Sequence, residues 1–366
     1  MIISRLPKYL RLSVSLSIVL VVLLVSPQTI RASEFGSRFY LVAADSSHSC
    51  AIHLDNEFAC WGDNSFFESK PIYDQNRPLP KVRSLSTASD HSCVVSLSKT
   101  VFCWGLGSMG QLGRPMKGRT KHLQRVDLEK PALEVATGSY DTCALLSDGT
   151  VWCWGLNTYH QVSSSKLSFV TKPTKWASLF GVTSISLAYD HGCALGRGGT
   201  VSCWGNSTFG QAGLLARNAI GIPPHVVPGL PPVQTVNVGP YSSCASTDGG
   251  IFCWGSKHLG DIGNTFNASH WSPELISTTT KVSSLSVGFD SACYVSVGQL
   301  HCWGRLIYPS NYRGSPVTNF VTRPTILLPD RNLSRVAVGW FHVCFTSIIG
   351  NVHCYGDNRY GQLNVP

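Results

Sequence analysis

Fourteen cysteines are the residues of this chain whose spacing most clearly suggests chemistry. They form seven pairs in which the second cysteine follows the first by nine or ten positions, as in DTCALLSDGTVWCWG from Asp141. Paired cysteines can bind zinc, catalyse thiol redox reactions or form disulfides. Zinc sites usually contain closer CxxC pairs, and redox catalysis needs one low-pKa thiol rather than seven equivalent copies. The pattern therefore favours structural disulfides.

The residues between the two cysteines predict a β-hairpin that places the two thiols opposite each other. In the repeat from Asp141, a three-residue loop at 147–149 puts Cys143 opposite Cys153 and needs Gly149 in the left-handed conformation. Lys99 occupies the same position in the second repeat and does not fit this preference. Opposed strand residues lie about 4.5 to 5.5 Å apart, within the range for a disulfide. We therefore predict seven intra-hairpin disulfides: Cys50–Cys60, Cys93–Cys103, Cys143–Cys153, Cys193–Cys203, Cys244–Cys253, Cys293–Cys302 and Cys344–Cys354.

The elements that must position these cysteines are short strands in a repeated unit. The first cysteines of successive repeats lie 43 to 51 residues apart. A β-branched run precedes the pair, as in SISLA from Ser184, and a connection rich in Gly, Asn and Pro follows it. Such a period favours propeller blades or solenoid coils over one irregular domain. With 43% hydrophobic and 13% charged residues, the chain has the composition of a globular protein with a substantial core.

The frame around the cysteines resembles the repeat of a known family. It is visible in GSYDTCALLSDGTVWCWGLN and in GQLG, GQAG and GQLN, which begin at Gly110, Gly210 and Gly361. It is similar to the repeat of the regulator of chromosome condensation family, which with its relative β-lactamase inhibitor protein II forms seven-bladed β-propellers. The cysteine-bearing version is most similar to secreted bacterial repeat proteins and to the extracellular crinkly repeats of plant receptor kinases.

This resemblance covers residues 39–366 and implies an all-β fold, a seven-bladed β-propeller with one intra-hairpin disulfide per blade. We expect residues 34–366 to form this propeller as a single domain. A propeller must close its ring to avoid open sheet edges. We therefore expect the terminal segments to pair and complete the last blade.

Residues 1–33 have the features of a secretory signal peptide. Arg5, Lys8 and Arg11 precede an apolar run at 12–25, which is short for a membrane span but suits a signal sequence. We expect cleavage near Ser33 and a secreted or extracellular protein, or a lumenal one if the segment stays as an anchor. No second long apolar stretch predicts a membrane span after the signal. Without its four basic residues, the chain has 25 Lys and Arg against 20 Asp and Glu, which identifies no anionic partner.

Three recurrent side chains could form binding sites, but their repetition favours structural roles. Two positions before the first cysteine stands a histidine that could bind a metal in a cluster: His48, His91, His191 and His342. Asp141, Ser242 and Ser291 occupy the same position elsewhere, so hydrogen bonding to the next turn is the expected role. A tryptophan follows the second cysteine in six repeats, and packing between blades is expected. A recurrent glutamine most simply holds its own loop, as Gln111 does in GQLG.

The sequence contains no constellation typical of an enzyme. It lacks GxSxG, HExxH and phosphate-loop motifs, and no acid and base pair stands outside the repeats. We therefore predict no catalytic residues, no metal site and no cofactor.

A basic stretch, RPMKGRTKHLQR, is the most distinctive segment outside the repeat frame. Its five cations are Arg114, Lys117, Arg119, Lys121 and Arg125. A solvated loop is the simpler interpretation, and contact with an acidic protein or an anionic glycan is the functional one. Candidate aromatic residues for a partner-binding face are Phe66, Phe67, Tyr159, Tyr308 and Tyr312. Sequons begin at Asn206, Asn267 and Asn332, where glycosylation depends on the host.

These patterns predict a monomeric, non-catalytic propeller that binds a protein partner through variable loops on one face and binds no nucleic acid. Two alternatives remain. The first is an enzyme inhibitor, as the β-lactamase inhibitor relative implies. The second is a guanine-nucleotide exchange factor for a small GTPase, as the founding family implies, although a working signal peptide would separate the chain from such a GTPase.

Overall fold

The computed structural model describes residues 38–73, 78–214, 219–256, 270–279, 281–308, 317–328 and 332–366. These residues form seven antiparallel sheets of three or four strands. The first strand of each sheet contacts the first strand of the next sheet, and that of the seventh contacts that of the first. The predicted all-β, seven-bladed propeller is therefore confirmed. Residues 1–33, Asn267 and Tyr312 lie outside the described residues.

Each blade is a meander of consecutive strands. Blades one and two contain β1 (Phe39–Ala44), β2 (His48–His53), β3 (Phe58–Gly62), β4 (Val82–Thr87), β5 (His91–Ser96), β6 (Val101–Leu106) and β7 (Arg119–Arg125). Blades three and four contain β8 (Ala132–Thr137), β9 (Asp141–Leu146), β10 (Val151–Leu156), β11 (Phe169–Lys175), β12 (Val182–Ala188), β13 (His191–Gly196), β14 (Val201–Ser207) and β15 (Ala219–Val226). Blades five to seven contain β16 (Val233–Val238), β17 (Ser242–Thr247), β18 (Gly250–Gly255), β19 (His270–Ser277), β20 (Val282–Val287), β21 (Ser291–Ser296), β22 (Gln299–Tyr308), β23 (Val317–Leu328), β24 (Leu333–Val338), β25 (His342–Ser347) and β26 (Val352–Gly356).

All seven predicted disulfides are present, one in each blade, and they join the second strand to the third. Cys143 pairs directly with Cys153 in the strand register, with their Cα atoms 4.0 Å apart. Gly149 takes the left-handed conformation that the three-residue turn requires, with φ of 79°. Lys99 adopts the same conformation with φ of 64°, so the second hairpin forms the common turn despite its side chain.

Blades one and seven have three strands among the described residues, whereas the other five have four. Within residues 38–73 and 332–366, no strand of blade one pairs with a strand of blade seven, so the expected strand pairing between the termini stays a prediction. Among these residues, the seam closes through contacts of the kind that join other blades. The Trp61 side chain donates a hydrogen bond to the Gln362 carbonyl at 2.8 Å, and Phe39 N–H donates to the Gly350 carbonyl at 2.7 Å. Phe39 and Trp61 are both buried at this seam.

The fourth strand decides how well each disulfide is covered. The second cysteine is fully buried in the five four-stranded blades. Cys60 and Cys354, in the three-stranded blades, are only partly buried. Two of the seven disulfides therefore lie closer to solvent than the other five. In the part of the chain that the structure describes, no helix is long and apolar enough to cross a membrane.

Candidate functional site

The recurrent tryptophans and glutamines form the joint between neighbouring blades. The Trp154 indole N–H donates to the Gln111 carbonyl of the preceding blade at 2.9 Å, and Trp204 bonds to Gln161 in the same way at 2.7 Å. The Gln111 side chain accepts from the Met109 N–H at 2.9 Å, so it also holds its own loop, as predicted. Because these tryptophans are fully buried, they are part of the scaffold.

Repeat one keeps this loop although it lacks the GQLG motif. Glu68 replaces the glutamine and is fully buried: its carboxylate accepts from the Phe66 N–H at 2.7 Å, and its carbonyl accepts from the Trp104 indole at 2.7 Å. Phe67 occupies the glycine position of the motif with φ of 70°. Burial raises the pKa of Glu68 to about 7. At neutral pH its carboxyl group can therefore be protonated and act as a hydrogen-bond donor, as the glutamine amide does in the other repeats. The divergent sequence therefore preserves the local fold.

The four recurrent histidines form a second set of bonds between blades. The Nε2 atom of His91 lies 2.9 Å from the Thr142 hydroxyl, and this hydroxyl donates to the Gln111 carbonyl at 2.9 Å. Since the hydroxyl hydrogen is used there, His91 must donate from Nε2. His48, His191 and His342 contact a serine of the next blade in the same way. Burial lowers the pKa of His91 to about 3, which agrees with this structural role.

The loop face is where the scaffold exposes side chains that differ from blade to blade. We define it as the turns between the first and second strands together with the loops that carry the recurrent glutamine. Four rings in blades four to seven form an aromatic arc on it: Tyr189, Tyr241, Phe289 and Trp340. Successive ring centroids lie 5.9, 5.5 and 4.9 Å apart. Phe209, on a glutamine loop, contacts Tyr241 at 5.5 Å and widens the arc.

The aromatic arc is accessible rather than part of the core. Tyr189 is 39% exposed, and Tyr241, Phe289 and Trp340 are partly exposed. Packed rings that stay partly exposed on rigid turns lose little conformational freedom when they bind, which is typical of binding hot spots. The arc is therefore the best candidate for a protein-binding surface in the described residues.

A recess of about 390 Å³ at the mouth of the central channel is lined by both end rings of the arc. Trp340 and Tyr189 line both the recess and the channel, whose own cavity is about 210 Å³. Tyr140, Phe341 and Tyr360 add further rings to the wall. The same wall contains the carboxylates of Asp63, Asp90 and Asp357. The recess thus combines aromatic and carboxylate groups around one opening.

The carboxylates of the recess differ in their surroundings. Although burial opposes it, hydrogen bonds from Ser65 and Ser47 keep the pKa of Asp63 below its usual value. Burial raises the pKa of Asp90, and the charge of Asp63 adds to this shift, whereas a hydrogen bond from Tyr140 opposes it. Asp357 is bonded to Arg359, with 2.7 Å between the carboxylate oxygen and the guanidinium nitrogen. Asp63 and Asp90 therefore both line the recess, and among the described residues their side-chain hydrogen-bond donors are hydroxyl groups.

The basic stretch forms the outer edge of blade two, and its five cations are exposed. Arg119 bonds the Ser65 carbonyl and lies over the Phe67 ring at 4.9 Å, so it stabilises the loop of repeat one. Arg114 bonds Gln124 at 3.1 Å, and Arg125 lies 3.8 Å from Asp127. The structure therefore gives these three cations partners within the chain and leaves all five at the surface.

Of the aromatic residues selected from the sequence, the described side chains of Phe66 and Phe67 lie apart from Tyr159. Phe66 and Phe67 contact Arg119 near blade two, whereas Tyr159 lies on the glutamine loop of blade three. Tyr308 lies at the end of β22. The aromatic arc was missed by sequence reasoning. Its signal is a recurrent aromatic residue three or four positions before the first cysteine in repeats three to seven.

The two described sequons differ in accessibility. Asn206 is 7% exposed, and its amide nitrogen donates to Asp190 at 2.7 Å. Asn332 is exposed. An oligosaccharide can therefore be accommodated on the folded chain at Asn332, whereas the folded state engages the amide of Asn206.

The opposite face, which we call the hairpin face, consists of the turns between the second and third strands. Exposed apolar side chains occupy these turns in four consecutive blades, six, seven, one and two: Val297, Ile348, Ile349, Leu54 and Leu97. In blades three to five the first turn position is Ser147, Arg197 or Asp248. The hairpin face therefore exposes separate aliphatic side chains, whereas the aromatic arc lies on the loop face.

Comparison with known proteins agrees with this architecture. Models of the regulator of chromosome condensation (RCC1) repeat match residues 82–111, 133–161, 182–211 and 334–362, and a second such model matches residues 148–195. These segments contain the joint tryptophan and glutamine of blades two, three and four, and Tyr355 and Gln362 of blade seven. No curated protein sequence matches the chain.

Solved structures share the fold at low sequence identity. Human WBSCR16 has a TM-score of 0.72 at 21% identity, over 86% of this chain and 88% of that chain. Yeast RCC1 (Prp20), solved in complex with Kap60, has a TM-score of 0.69 at 19% identity, over 88% of this chain and 81% of that chain. The crinkly ectodomain of the Arabidopsis thaliana receptor kinase ACR4 has a TM-score of 0.55 at 18% identity, over 90% of this chain and 99% of that chain. The repeat matches and the shared fold place this chain in the superfamily of RCC1-repeat β-propellers.

Proposed function

We propose that this chain is a secreted or lumenal protein-binding propeller without catalytic activity, and that its partner contacts the loop face. The observation that carries the proposal is the aromatic arc. Its four rings are contiguous and partly exposed, and each sits on a short turn between two strands of a disulfide-stapled blade. Rigid aromatic anchors of this kind contribute most of the binding energy in protein interfaces.

The disulfides support the proposed compartment. Seven bridges use every cysteine of the chain. Disulfides form and persist in extracellular and lumenal environments and are rare in the cytosol. Together with the sequence features of residues 1–33, they favour a chain that meets its partner outside the cytosol, where Asn332 is our proposed glycosylation site.

A second contact zone on the edge of blade two belongs to the same proposal. Lys117 and Lys121 are exposed cations, and Arg114 and Arg125 add charge beside them. We expect this zone to attract an acidic protein or an anionic glycan and to affect the association rate more than the lifetime of the complex. Tyr308 and Tyr312 stay proposed contacts.

The aromatic arc also bears on the two alternatives. An inhibitor of an enzyme needs a rigid aromatic surface, which the arc provides, so this function ranks second. The exchange-factor function ranks third because it requires a cytosolic or nuclear partner, whereas the disulfides favour an oxidising compartment. Prp20p of Saccharomyces cerevisiae binds Gsp1p and histones. At 18% identity, its similarity to this chain shows a shared fold and does not extend to those partners.

Affinity purification from the extracellular fraction of the native host tests the proposal with three matched baits. The first is the unchanged chain, the second carries Tyr189→Ala and Tyr241→Ala on the loop face, and the third carries Ile348→Ser and Ile349→Ser on the hairpin face. We expect the first and third baits to capture the same protein and the second to lose it. Capture that depends on the hairpin-face residues instead would overturn the proposal. Equal melting temperatures of the three baits establish that folding is not the cause.

A further inference from the structure

We propose that the recess takes a cationic side chain, Arg or Lys, that the protein partner inserts at the mouth of the central channel. This inference rests on the proposed function, because it assumes a partner on the loop face. It assigns a chemical class of ligand to the recess itself.

Two carboxylates of the recess, Asp63 and Asp90, have no cationic partner among the described residues. Asp63 accepts hydrogen bonds from Ser65 and Ser47, and Asp90 is bonded to Tyr140, which are all neutral donors. In the described part of the chain, neither carboxylate forms a salt bridge. The two charges also disfavour each other, because Asp63 adds to the raised pKa of Asp90. A cation between them would relieve this repulsion and gain charge-assisted hydrogen bonds.

Aromatic side chains form much of the wall of the recess. Tyr140, Tyr189, Trp340 and Tyr360 line the same recess, and Tyr360 is 54% exposed. Aromatic faces attract Arg and Lys side chains through the cation–π interaction and also cover their apolar stems. A volume of about 390 Å³ is sufficient for one such side chain. The recess therefore offers both a charge complement and a packing surface to the same ligand group.

The recess differs from the rest of the chain in the sign of its charge. Without the four basic residues of residues 1–33, the chain has 25 Lys and Arg against 20 Asp and Glu, a formal excess of +5. Of the residues that line the recess, Arg359 is the one Arg or Lys, and its guanidinium is bonded to Asp357. The recess is therefore a local site that favours a cation on a chain with a mild basic excess.

Titration with a fluorescent hexa-arginine peptide at low salt tests this inference. The variants are Asp63→Asn and Asp90→Asn, which keep the acceptors for Ser65 and Tyr140, together with Tyr360→Ala. Asp127→Asn is the matched control, because it removes the same charge from a side chain that is 95% exposed and does not line the recess. We expect each recess carboxylate to contribute about 10-fold or more in affinity and Tyr360 about 2- to 5-fold. The control should change affinity by less than about 2-fold.

Two results would overturn the inference: no saturable binding of hexa-arginine to the unchanged chain, or an equal loss of affinity in Asp127→Asn. The purified partner then separates this inference from the proposed function. If Asp63→Asn with Asp90→Asn retains the partner while the arc variants lose it, the loop face binds the partner without a cation in the recess, and only this inference fails. If the arc variants retain the partner, the proposed function itself fails.

Discussion

Glu134 on β8 forms hydrogen bonds that join blade three to blade four. Its carboxylate accepts hydrogen bonds from the Ser184 hydroxyl and the Ile185 N–H of the next blade, both at 3.2 Å. Burial raises its pKa to about 7, against the effect of these two donors. The unfolded chain, with a Glu pKa of about 4.3, releases this proton at lower pH. The folded state therefore binds more protons between these two values, and the free energy of unfolding must fall as the pH rises from 5 to 8.

The magnitude follows from the width of this window. The folded and unfolded states differ by about one proton over roughly two pH units, at about 1.36 kcal/mol per unit, so Glu134 lowers stability by at most about 2.5 kcal/mol between pH 5 and pH 8. This is an upper value, because the residue is partly rather than fully buried.

The substitution Glu134→Gln removes the titration and keeps the joint. The Gln oxygen can accept from the Ile185 N–H, and its amide can donate to the Ser184 hydroxyl. We expect the variant to match the unchanged chain at pH 5 and to exceed it by up to about 2.5 kcal/mol at pH 8, measured by urea unfolding. Glu129→Gln, at an exposed position nearby, is the control and should not change the pH dependence. A gap between variant and unchanged chain that is the same at both pH values would refute the reasoning, because it would mean that Glu134 is ionised in the folded state.

Three further predictions concern the disulfides, the joints and the turns. Under limiting reductant with an alkylating reagent, Cys60 and Cys354 should be labelled before the five covered cysteines, as mass spectrometry would detect; even labelling of all seven pairs would contradict this. Trp154→Phe should lower the free energy of unfolding by about 1 to 2 kcal/mol, because it removes the bond to Gln111 and some buried volume. Lys99→Gly should raise the melting temperature, since it relieves about 1 kcal/mol of left-handed strain; an unchanged or lower value would argue against such strain.

The sequence was sufficient to predict what depends on residues near each other in the chain. The seven disulfides follow from a spacing of nine or ten positions across a tight turn, where register and loop length fix which residues face each other. The left-handed position of Gly149 follows from the same turn. The all-β fold and the blade number follow from the repeat itself. The hydrogen-bonding role expected for the recurrent histidines and the loop-holding role of the glutamine are also confirmed.

Only the tertiary structure decided which distant residues meet. Tyr189, Tyr241, Phe289 and Trp340 lie about 50 residues apart along the chain, and each is an unremarkable turn residue until the ring places the turns side by side. The same is true of Asp63 and Asp90, which belong to blades one and two and become neighbours at the recess. The seam between blades seven and one was expected to form by strand pairing, but the described residues close it by the bond from Trp61 to Gln362. Local spacing fixes a hairpin because its turn has few allowed conformations, whereas contacts between blades depend on how seven sheets pack around one axis.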